Sequence, residues 1–288
     1  MENFGRLVKD FPEQYLTCFK AYKASIEKKD RDNFNHFYRS TALDAILCDS
    51  GTDARVLGIG SGSGEVDSII LKKLLQRHNS VYNRVVEPAE DLIERYKARV
   101  REDTSLQAVE FDWRQQTAEE YFLTEEPVTT TFNLVHAVHV LYHVKDLHAT
   151  LRNMWEQLAD GGHMVVQIKS DNGVGGRLYD KMWEHFGEGD RLKSVFRMSC
   201  DIKEWLDNMG IGYDTSEEDT NINVTECFKE NSETGMRLLE FFTLTPYIAN
   251  EPELRSTVLE YIRNNSSVVG DQVYFKSVSE VVVAHKKQ

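Results

Sequence analysis

Glycine alternates with other residues in one short stretch of the chain, at Gly58, Gly60, Gly62 and Gly64. The stretch follows an apolar run at residues 55–59 and precedes residues 66–75, whose pattern predicts a helix. Without side chains, such a turn lets backbone N–H groups and the helix N-terminus approach a ligand closely. The spacing does not fit the GxGxxG fingerprint of dinucleotide-binding proteins, because neither frame ends on a glycine. The residues therefore predict a ligand-binding loop of another kind.

An acidic residue, Glu87, ends a second predicted strand at residues 81–87, about 20 positions after the glycine loop. A carboxylate at this place can accept hydrogen bonds from both hydroxyls of a ribose. NAD-binding proteins also place an acid here, so Glu87 favours an adenosine-containing ligand without deciding which one. The alternative is a solvent-exposed surface glutamate, and the position at a strand end disfavours it.

Strand and helix patterns alternate across residues 55–169, with further strands expected at residues 108–113, 132–140 and 164–168. This alternation predicts a parallel sheet with helices on both faces. Beyond residue 170 the alternation fails, and helical patterns follow at residues 177–186, 201–209, 233–242 and 252–263. The last segment, residues 272–284, is predicted to be an antiparallel edge strand.

Charge and cysteine content limit the classes of protein that the chain can be. The 288 residues carry a formal net charge of −13, which argues against nucleic-acid and anionic-membrane partners. The four cysteines are scattered without a CxxC pair, which predicts isolated reduced thiols. The first residues lack a basic segment followed by an apolar run, and no window is as long and apolar as a membrane span. We therefore expect a cytoplasmic protein with neither a signal peptide nor a membrane helix.

Three histidines, His136, His139 and His143, lie along the fourth predicted strand and just beyond it. A metal site that also uses His148 is disfavoured, because His136 and His139 would face opposite sides of a strand. No cysteine or carboxylate lies nearby at ligand spacing either. We expect no metal and assign no catalytic residue firmly, although His139 and His143 are candidates for substrate contact or for assistance as a base.

Glycine at every second position is typical of Rossmann-like methyltransferases that use S-adenosylmethionine. In that class the third strand is followed by a segment that flanks adenine, here residues 113–117, with Thr117 or Ala118 in contact with it. The segment that leaves the fourth strand, residues 138–143, falls where the methyl group meets its acceptor. Together with the glycine loop and Glu87, this order along the chain favours a methyltransferase over an NAD-dependent oxidoreductase.

The chain resembles the histamine N-methyltransferase family over nearly its full length. The matching stretches are residues 56–67, 85–88, 141–142, 144–146 and 180–183, together with Tyr15 and Phe19 near the N-terminus. The resemblance implies a class I, Rossmann-like α/β fold with a seven-stranded, mostly parallel sheet and an α-rich substrate-binding lobe. The implied organisation is an N-terminal helical lid over the active site (1–50), a cofactor-binding core (51–170), and a lobe with C-terminal edge strands that complete the sheet (171–288).

The same resemblance implies transfer of a methyl group from S-adenosyl-L-methionine to a ring nitrogen of histamine by a cytoplasmic monomer. With the residues above, it predicts cofactor contacts at Gly60, Gly62, Gly64, Glu87, Leu92, Thr117, Ala118 and Val138. It implies a substrate pocket formed by Tyr15, Phe19, Glu27, His139, Tyr142, His143, Tyr179, Trp183, Phe241 and Ser277. Glu27 is placed there after a one-residue gap. For Phe241, ordinary core packing is an equally good interpretation.

The chain departs from the family at several of these positions. The family has Gln, Tyr, Trp and Asn where this chain has His139, His143, Tyr179 and Ser277. On the cofactor side Leu92 stands for Gln and Ala118 for Ser, which are mild changes because backbone contacts can remain. Serine is shorter than asparagine and lacks its amide, so the substrate side changes more. The acceptor therefore stays open between histamine and another small amine or imidazole, and a non-catalytic methyltransferase-like binding protein is the alternative of a different class.

Overall fold

The computed structural model describes residues 4–27, 30, 36–40, 43–44, 53–124, 131–187 and 196–287. Its helices are α1 (Leu7–Asp10), α2 (Pro12–Ser25), α3 (His36–Arg39), α4 (Glu65–Leu74), α5 (Glu90–Glu102), α6 (Ala118–Thr124), α7 (Leu147–Glu156), α8 (Val174–Phe186), α9 (Ser199–Asn208), α10 (Glu233–Thr243) and α11 (Pro252–Asn264). Its strands are β1 (Ala54–Ile59), β2 (Val81–Val86), β3 (Val109–Arg114), β4 (Phe132–Val138), β5 (Leu158–Lys169), β6 (Tyr213–Asn223), β7 (Ser266–Val269) and β8 (Gln272–His285). Part of the predicted lid, and Cys48 with it, lies outside the described residues.

These strands form one sheet in the order β3–β2–β1–β4–β5–β8–β6, and β7 pairs with β8. The pairs β2–β3, β1–β2, β1–β4 and β4–β5 are all parallel. The predicted class I, mostly parallel fold is therefore confirmed. The expected number of seven strands is wrong, because the described residues form eight and the additional short strand β7 pairs with β8. The direction of strand addition reverses between β1 and β4, and ligands of open α/β sheets bind outside the carboxyl ends of the strands at such a point. The glycine loop follows β1 and His139 follows β4 at this edge.

The chain divides into two compact units. The core unit comprises Asn35–Ile168, Asp201–Ser216 and Val281–Gln288, and the helical unit comprises Met1–Phe34, Lys169–Cys200 and Glu217–Glu280. In the core unit, Val56 and Leu57 are neighbours on β1 but belong to different clusters of buried apolar side chains. Because successive residues of a strand face opposite ways, this shows that both faces of the sheet are covered. The helical unit has a separate apolar cluster of its own.

The structure differs from the sequence expectation at four strands, one of which is the short β7 that was not predicted. β5 begins at Leu158 rather than at residue 164, because Gly161 N–H donates to the Lys286 carbonyl (2.8 Å) and Lys286 N–H donates to Gly162 (2.9 Å). β6 was not predicted, since its residues are mostly polar and only two of its eleven side chains are buried. β8 is present where a strand was expected, but the expected edge position is wrong because β6 lies outside it. Among the described residues, no helix combines the length and apolarity that crossing a membrane requires.

Candidate active site

The glycine loop turns sharply between β1 and α4. Gly60 and Gly64 have φ angles of 66° and 73°, which side-chain-bearing residues rarely adopt. A methyl group on Gly60 would lie 2.2 Å from Val140 Cγ2, and one on Gly64 would lie 2.2 Å from the Tyr96 ring. Packing therefore requires glycine at both ends of the loop. Gly62 differs, because a methyl group there would have no atom of the described chain within 4 Å, so the middle of the loop faces open space.

Glu87 follows β2 and fixes the middle of this loop. Its carboxylate is buried and accepts the Gly62 N–H at 2.9 Å through Oε2 and the Ala89 N–H at 3.0 Å through Oε1. Loss of water raises the pKa of Glu87, although these two N–H donors act in the opposite direction. A carboxylate offers about four acceptor positions, so two remain for the hydroxyls of a ligand. The role of Glu87 in ribose binding stays a prediction.

The residues around the loop fit S-adenosylmethionine. The open space at Gly62 can admit a ligand against the backbone, and Glu87 can accept hydroxyl donors. Asp67 adds a second buried carboxylate, and its charge contributes to the raised pKa of Glu87. Two carboxylates suit a cationic sulfonium compound better than an anionic pyrophosphate.

The other predicted cofactor residues lie on three elements of the core unit. Leu92 is partly buried on α5, Ala118 is buried on α6, and Val138 ends β4. Thr117 caps α6: its hydroxyl accepts the Glu120 N–H at 3.2 Å, while the Glu120 carboxylate accepts the Thr117 N–H at 2.8 Å. This structural role of Thr117 was not predicted, although Thr-x-x-Glu before a helix is its known signature.

His139, Tyr142 and His143 come together after β4. His139 has a φ of 52°, which ends the strand, and its backbone N–H donates to Gln167 at 2.8 Å. The His139 and Tyr142 rings are nearly parallel, with His139 Nδ1 3.4 Å from the Tyr142 hydroxyl. His143 is exposed and its ring meets Tyr142 edge-on. Three of the predicted substrate residues thus form one small group within the core unit.

An aromatic cluster forms in the helical unit around Phe241 of α10. The Tyr22 ring stacks on Phe241 with centroids 4.5 Å apart, and the Tyr15 and Phe19 rings lie 6.0 and 5.9 Å from the same ring. All four side chains keep partial exposure, unlike the buried neighbour Phe242. The structure therefore brings together three predicted substrate residues, and it adds Tyr22, which was recognised on the same helix face but not as a site residue.

Two further predicted residues adjoin this cluster. Tyr179 of α8 is buried and lies close enough to Tyr15 and Tyr22 to raise the pKa of both phenols, in addition to the larger effect of burial. The Ser277 side chain lies near the Tyr22 phenol and acts against the rise of its pKa.

The remaining predicted substrate residues of the helical unit are Trp183 and Glu27. Trp183 packs against the same apolar cluster, one helical turn after Tyr179. Glu27 is partly buried just after α2, and its backbone N–H donates to Asn221 at 2.9 Å. Lys169, at the end of β5, places its Nζ 4.0 Å from the centroid of the Tyr179 ring. Sequence reasoning missed Lys169, whose one signal was a charge at the end of an apolar strand.

The described ranges contain no group of three or more His, Cys, Asp or Glu side chains arranged to hold a metal. His136 is buried with its Nε2 3.5 Å from Asp67 Oδ1, and burial lowers the pKa of its imidazole. Cys18, Cys200 and Cys227 are free thiols.

Comparisons with known proteins identify the family. Residues 32–210 match a sequence-family model described as a methyltransferase domain. A histamine N-methyltransferase of Xenopus tropicalis is 32% identical over 87% of this chain and 86% of its own length. One of Danio rerio is 31% identical over 97% of this chain and 98% of its own.

Solved structures show the same fold at low sequence identity. The YcgJ protein of Bacillus subtilis is 14% identical with a TM-score of 0.56, covering 88% of this chain and 100% of its own. Phosphoethanolamine N-methyltransferase 2 of Haemonchus contortus, solved with S-adenosyl-L-methionine, is 18% identical with a TM-score of 0.50 and covers 98% of this chain and 59% of its own. The chain belongs to the histamine N-methyltransferase family of S-adenosylmethionine-dependent methyltransferases.

Proposed function

We propose that the protein transfers a methyl group from S-adenosylmethionine to a ring nitrogen of histamine or of a related small amine or imidazole. The observation that carries this proposal is the partly exposed stack of Tyr15, Phe19 and Tyr22 around Phe241. Aromatic faces attract organic cations and flat rings. The names of the relatives and their coverage of the chain support the same acceptor class.

The cofactor would be held by the glycine loop, with Gly62 against the ligand and Glu87 accepting the ribose hydroxyls. When bound, S-adenosylmethionine supplies a methyl group activated by the positive sulfur. Leu92, Thr117, Ala118 and Val138 would complete the adenosine side of this site. These side chains bind and orient the ligand, and holding two reactants in line can lower a barrier by about 7 kcal/mol or more.

On the acceptor side, the aromatic cluster would enclose the compound, with Tyr179 and Trp183 beside it. Glu27 would pair with an ammonium group of the acceptor. His139 and His143 are candidates to contact the acceptor with Tyr142. They could also take up the proton that the acceptor releases once it is methylated. Because His139, His143, Tyr179 and Ser277 differ from the family pattern, a related amine or imidazole stays beside histamine in the proposal.

A methyl-transfer assay with labelled cofactor tests the proposal on histamine and a panel of biogenic amines and imidazoles. We expect at least one imidazole or small amine of the panel to be methylated. Glu27→Gln should then raise KM for a cationic acceptor about tenfold, while Glu13→Gln, at an exposed position on the preceding helix α2, should leave it unchanged. An unchanged KM in Glu27→Gln would contradict the proposed contact between Glu27 and the ammonium group of the acceptor. Cofactor binding without any methylated product would favour a non-catalytic binding protein.

We also propose that the protein acts as a cytoplasmic monomer without nucleic-acid or membrane partners, and that its N-terminal helices cover the acceptor. The three free thiols and the net charge of −13 support this view, since reduced cysteines are typical of the cytoplasm. Light scattering of the purified protein and cell fractionation test it, and a stable dimer or a membrane-bound fraction would contradict it.

A further inference from the structure

Lys169 lies against α8 at the end of β5. Its Nζ is 4.0 Å from the centroid of the Tyr179 ring, within the range of a cation–π contact. A methyl group on Gly175, in the first turn of α8, would lie 3.7 Å from the same Nζ. The end of the Lys169 side chain therefore lies beside α8, between Gly175 and Tyr179. The side chain is only partly exposed.

Tyr179 connects this amine to the aromatic cluster. Its hydroxyl lies close enough to those of Tyr15 and Tyr22 to affect their ionisation, and burial raises the pKa of all three phenols. The three hydroxyls therefore stay uncharged at physiological pH. Loss of water lowers the pKa of Lys169 to about 7, so the amine still carries a proton in a large fraction of molecules near neutrality.

A protonated Lys169 changes which acceptors the cluster can hold. It occupies the Tyr179 face at a distance that an acceptor ammonium would otherwise use. Because water screens charges only weakly at this mostly buried site, the protonated Lys169 would repel a second ammonium. It would attract a carboxylate or a neutral hydrogen-bond acceptor. The charge of Lys169 thus opposes a cationic side chain on the acceptor.

We propose that Lys169 is a specificity-determining residue of the acceptor pocket, and that it favours acceptors with a carboxylate or neutral side chain over acceptors with an ammonium side chain. This inference rests on the proposed function, because it assigns Lys169 to the same acceptor site. It refines the substrate class to imidazoles or amines with an anionic or uncharged substituent.

The test compares three acceptors with the same ring and different side-chain charge: histamine, imidazole-4-ethanol and imidazole-4-acetate. The measured quantity is the ratio of kcat/KM for the acetate to kcat/KM for histamine. Lys169→Met should lower this ratio at least about tenfold, with the ethanol intermediate, and Lys169→Arg should keep it within about threefold of the wild-type value. Lys181→Met is the control and should leave the ratio unchanged. It removes a lysine of α8, the helix that carries Tyr179, and the Nζ of this lysine lies 5.6 Å from the centroid of the Tyr261 ring.

An unchanged ratio in Lys169→Met, or an equal fall in Lys181→Met, would overturn the proposal. If Lys169→Met does not fold, the test uses the wild-type protein. Because the side-chain charge changes the pKa of each imidazole ring, each kcat/KM is first divided by the fraction of that acceptor with an unprotonated ring. The corrected ratio should fall as pH rises from 6 to 8.5, since Lys169 loses its proton. A flat profile would count against Lys169.

Product formation separates this inference from the proposed function. If wild-type protein methylates neither these three compounds nor any member of the amine and imidazole panel, the proposed function fails. The inference is then decided by calorimetric affinities: tighter binding of the acetate that Lys169→Met abolishes supports it, and absent binding or an unchanged order overturns it.

Discussion

The Glu87 carboxylate accepts the backbone N–H of Gly62 at 2.9 Å, so the acid that follows β2 directly holds the loop that follows β1. Glu87→Gln keeps the size of the side chain but removes its charge and one acceptor oxygen. A hydrogen bond to a charged group is worth about 2 kcal/mol, so we expect the Kd for S-adenosylmethionine to rise about 30-fold. Titration calorimetry measures this. Tm should also fall, because the amide nitrogen would face one of the two backbone N–H groups that the carboxylate accepts.

Glu90→Gln is the matched control, because Glu90 is an exposed acid only three residues further along the chain. Its Kd should equal that of the wild type. Equal affinities in Glu87→Gln and the wild type would mean that the carboxylate positions the loop without contacting the ligand.

Gly60→Ala should destabilise the protein by about 2–3 kcal/mol. The φ of 66° accounts for about 1 kcal/mol, and contact with Val140 Cγ2 adds the rest. Val140→Ala in the same chain should relieve the contact but not the backbone strain. A double-mutant cycle by urea denaturation should therefore give a favourable coupling of about 1 kcal/mol. Gly212→Ala, where a methyl group would meet no described atom within 4 Å, should cost nothing, and a zero coupling would contradict the packing explanation.

The sequence predicted the loop, Glu87 and the parallel strands because each depends on local signals: glycine spacing, an acid at a strand end and apolar runs. It did not predict β6, whose polar, exposed residues do not alternate with buried ones along most of its length. Without β6, the strand at residues 272–284 was left at the edge of the sheet. Lys169 was also missed, because the burial of a lysine depends on a helix that follows later in the chain.

The aromatic residues show the same limit. Tyr15, Phe19 and Tyr22 were recognised on one face of a helix, but their packing around Phe241 joins residues more than two hundred positions apart. Helical spacing reveals which side chains share a face, and only tertiary structure shows what that face meets.

Asp112→Asn should destabilise the protein by about 3 kcal/mol, because it leaves the buried Arg84 guanidinium without its carboxylate, now 2.8 Å away. Burial would raise the pKa of Asp112, but hydrogen bonds from Arg114 and Tyr82 and the charge of Arg84 outweigh it and hold the pKa below its ordinary value. This carboxylate therefore stabilises the fold above about pH 4 and loses its effect as pH falls through its folded pKa.

Urea denaturation at pH 7 and at pH 3 measures both parts of this prediction. The difference between wild type and Asp112→Asn should be large at pH 7 and smaller at pH 3. The control Asp91→Asn breaks an exposed pair with Arg95 and should cost less than about 0.5 kcal/mol. A pH-independent difference would show that shape rather than charge explains the loss.

Phe241 and Phe242 are adjacent on α10 but should respond differently to leucine. Phe241 is partly exposed and stacks on Tyr22, so Phe241→Leu should raise KM for the best acceptor roughly 3–10-fold with little change in Tm. Phe242 is buried and meets Phe275 edge-on, so Phe242→Leu should lower Tm and leave KM nearly unchanged. If both variants lose stability equally, Phe241 is a core residue and not part of the acceptor site.

Lys169→Met should stabilise the protein, and more so in acid than in base. Burial lowers the pKa of Lys169 to about 7, while a lysine of the unfolded chain has a pKa near 10.4. Between these two pKa values the unfolded chain binds more protons than the folded protein, so the stability of the wild type rises with pH. Below the folded pKa, the folded protein bears the full free-energy cost of burying the charged amine. The phenols of Tyr15, Tyr22 and Tyr179 around it have raised pKa values and contribute no titration there. The gain in Tm on Lys169→Met should thus be larger at pH 6 than at pH 9.5, whereas Lys181→Met should show no such difference; an equal or reversed gain would mean that Lys169 stays hydrated in the folded protein.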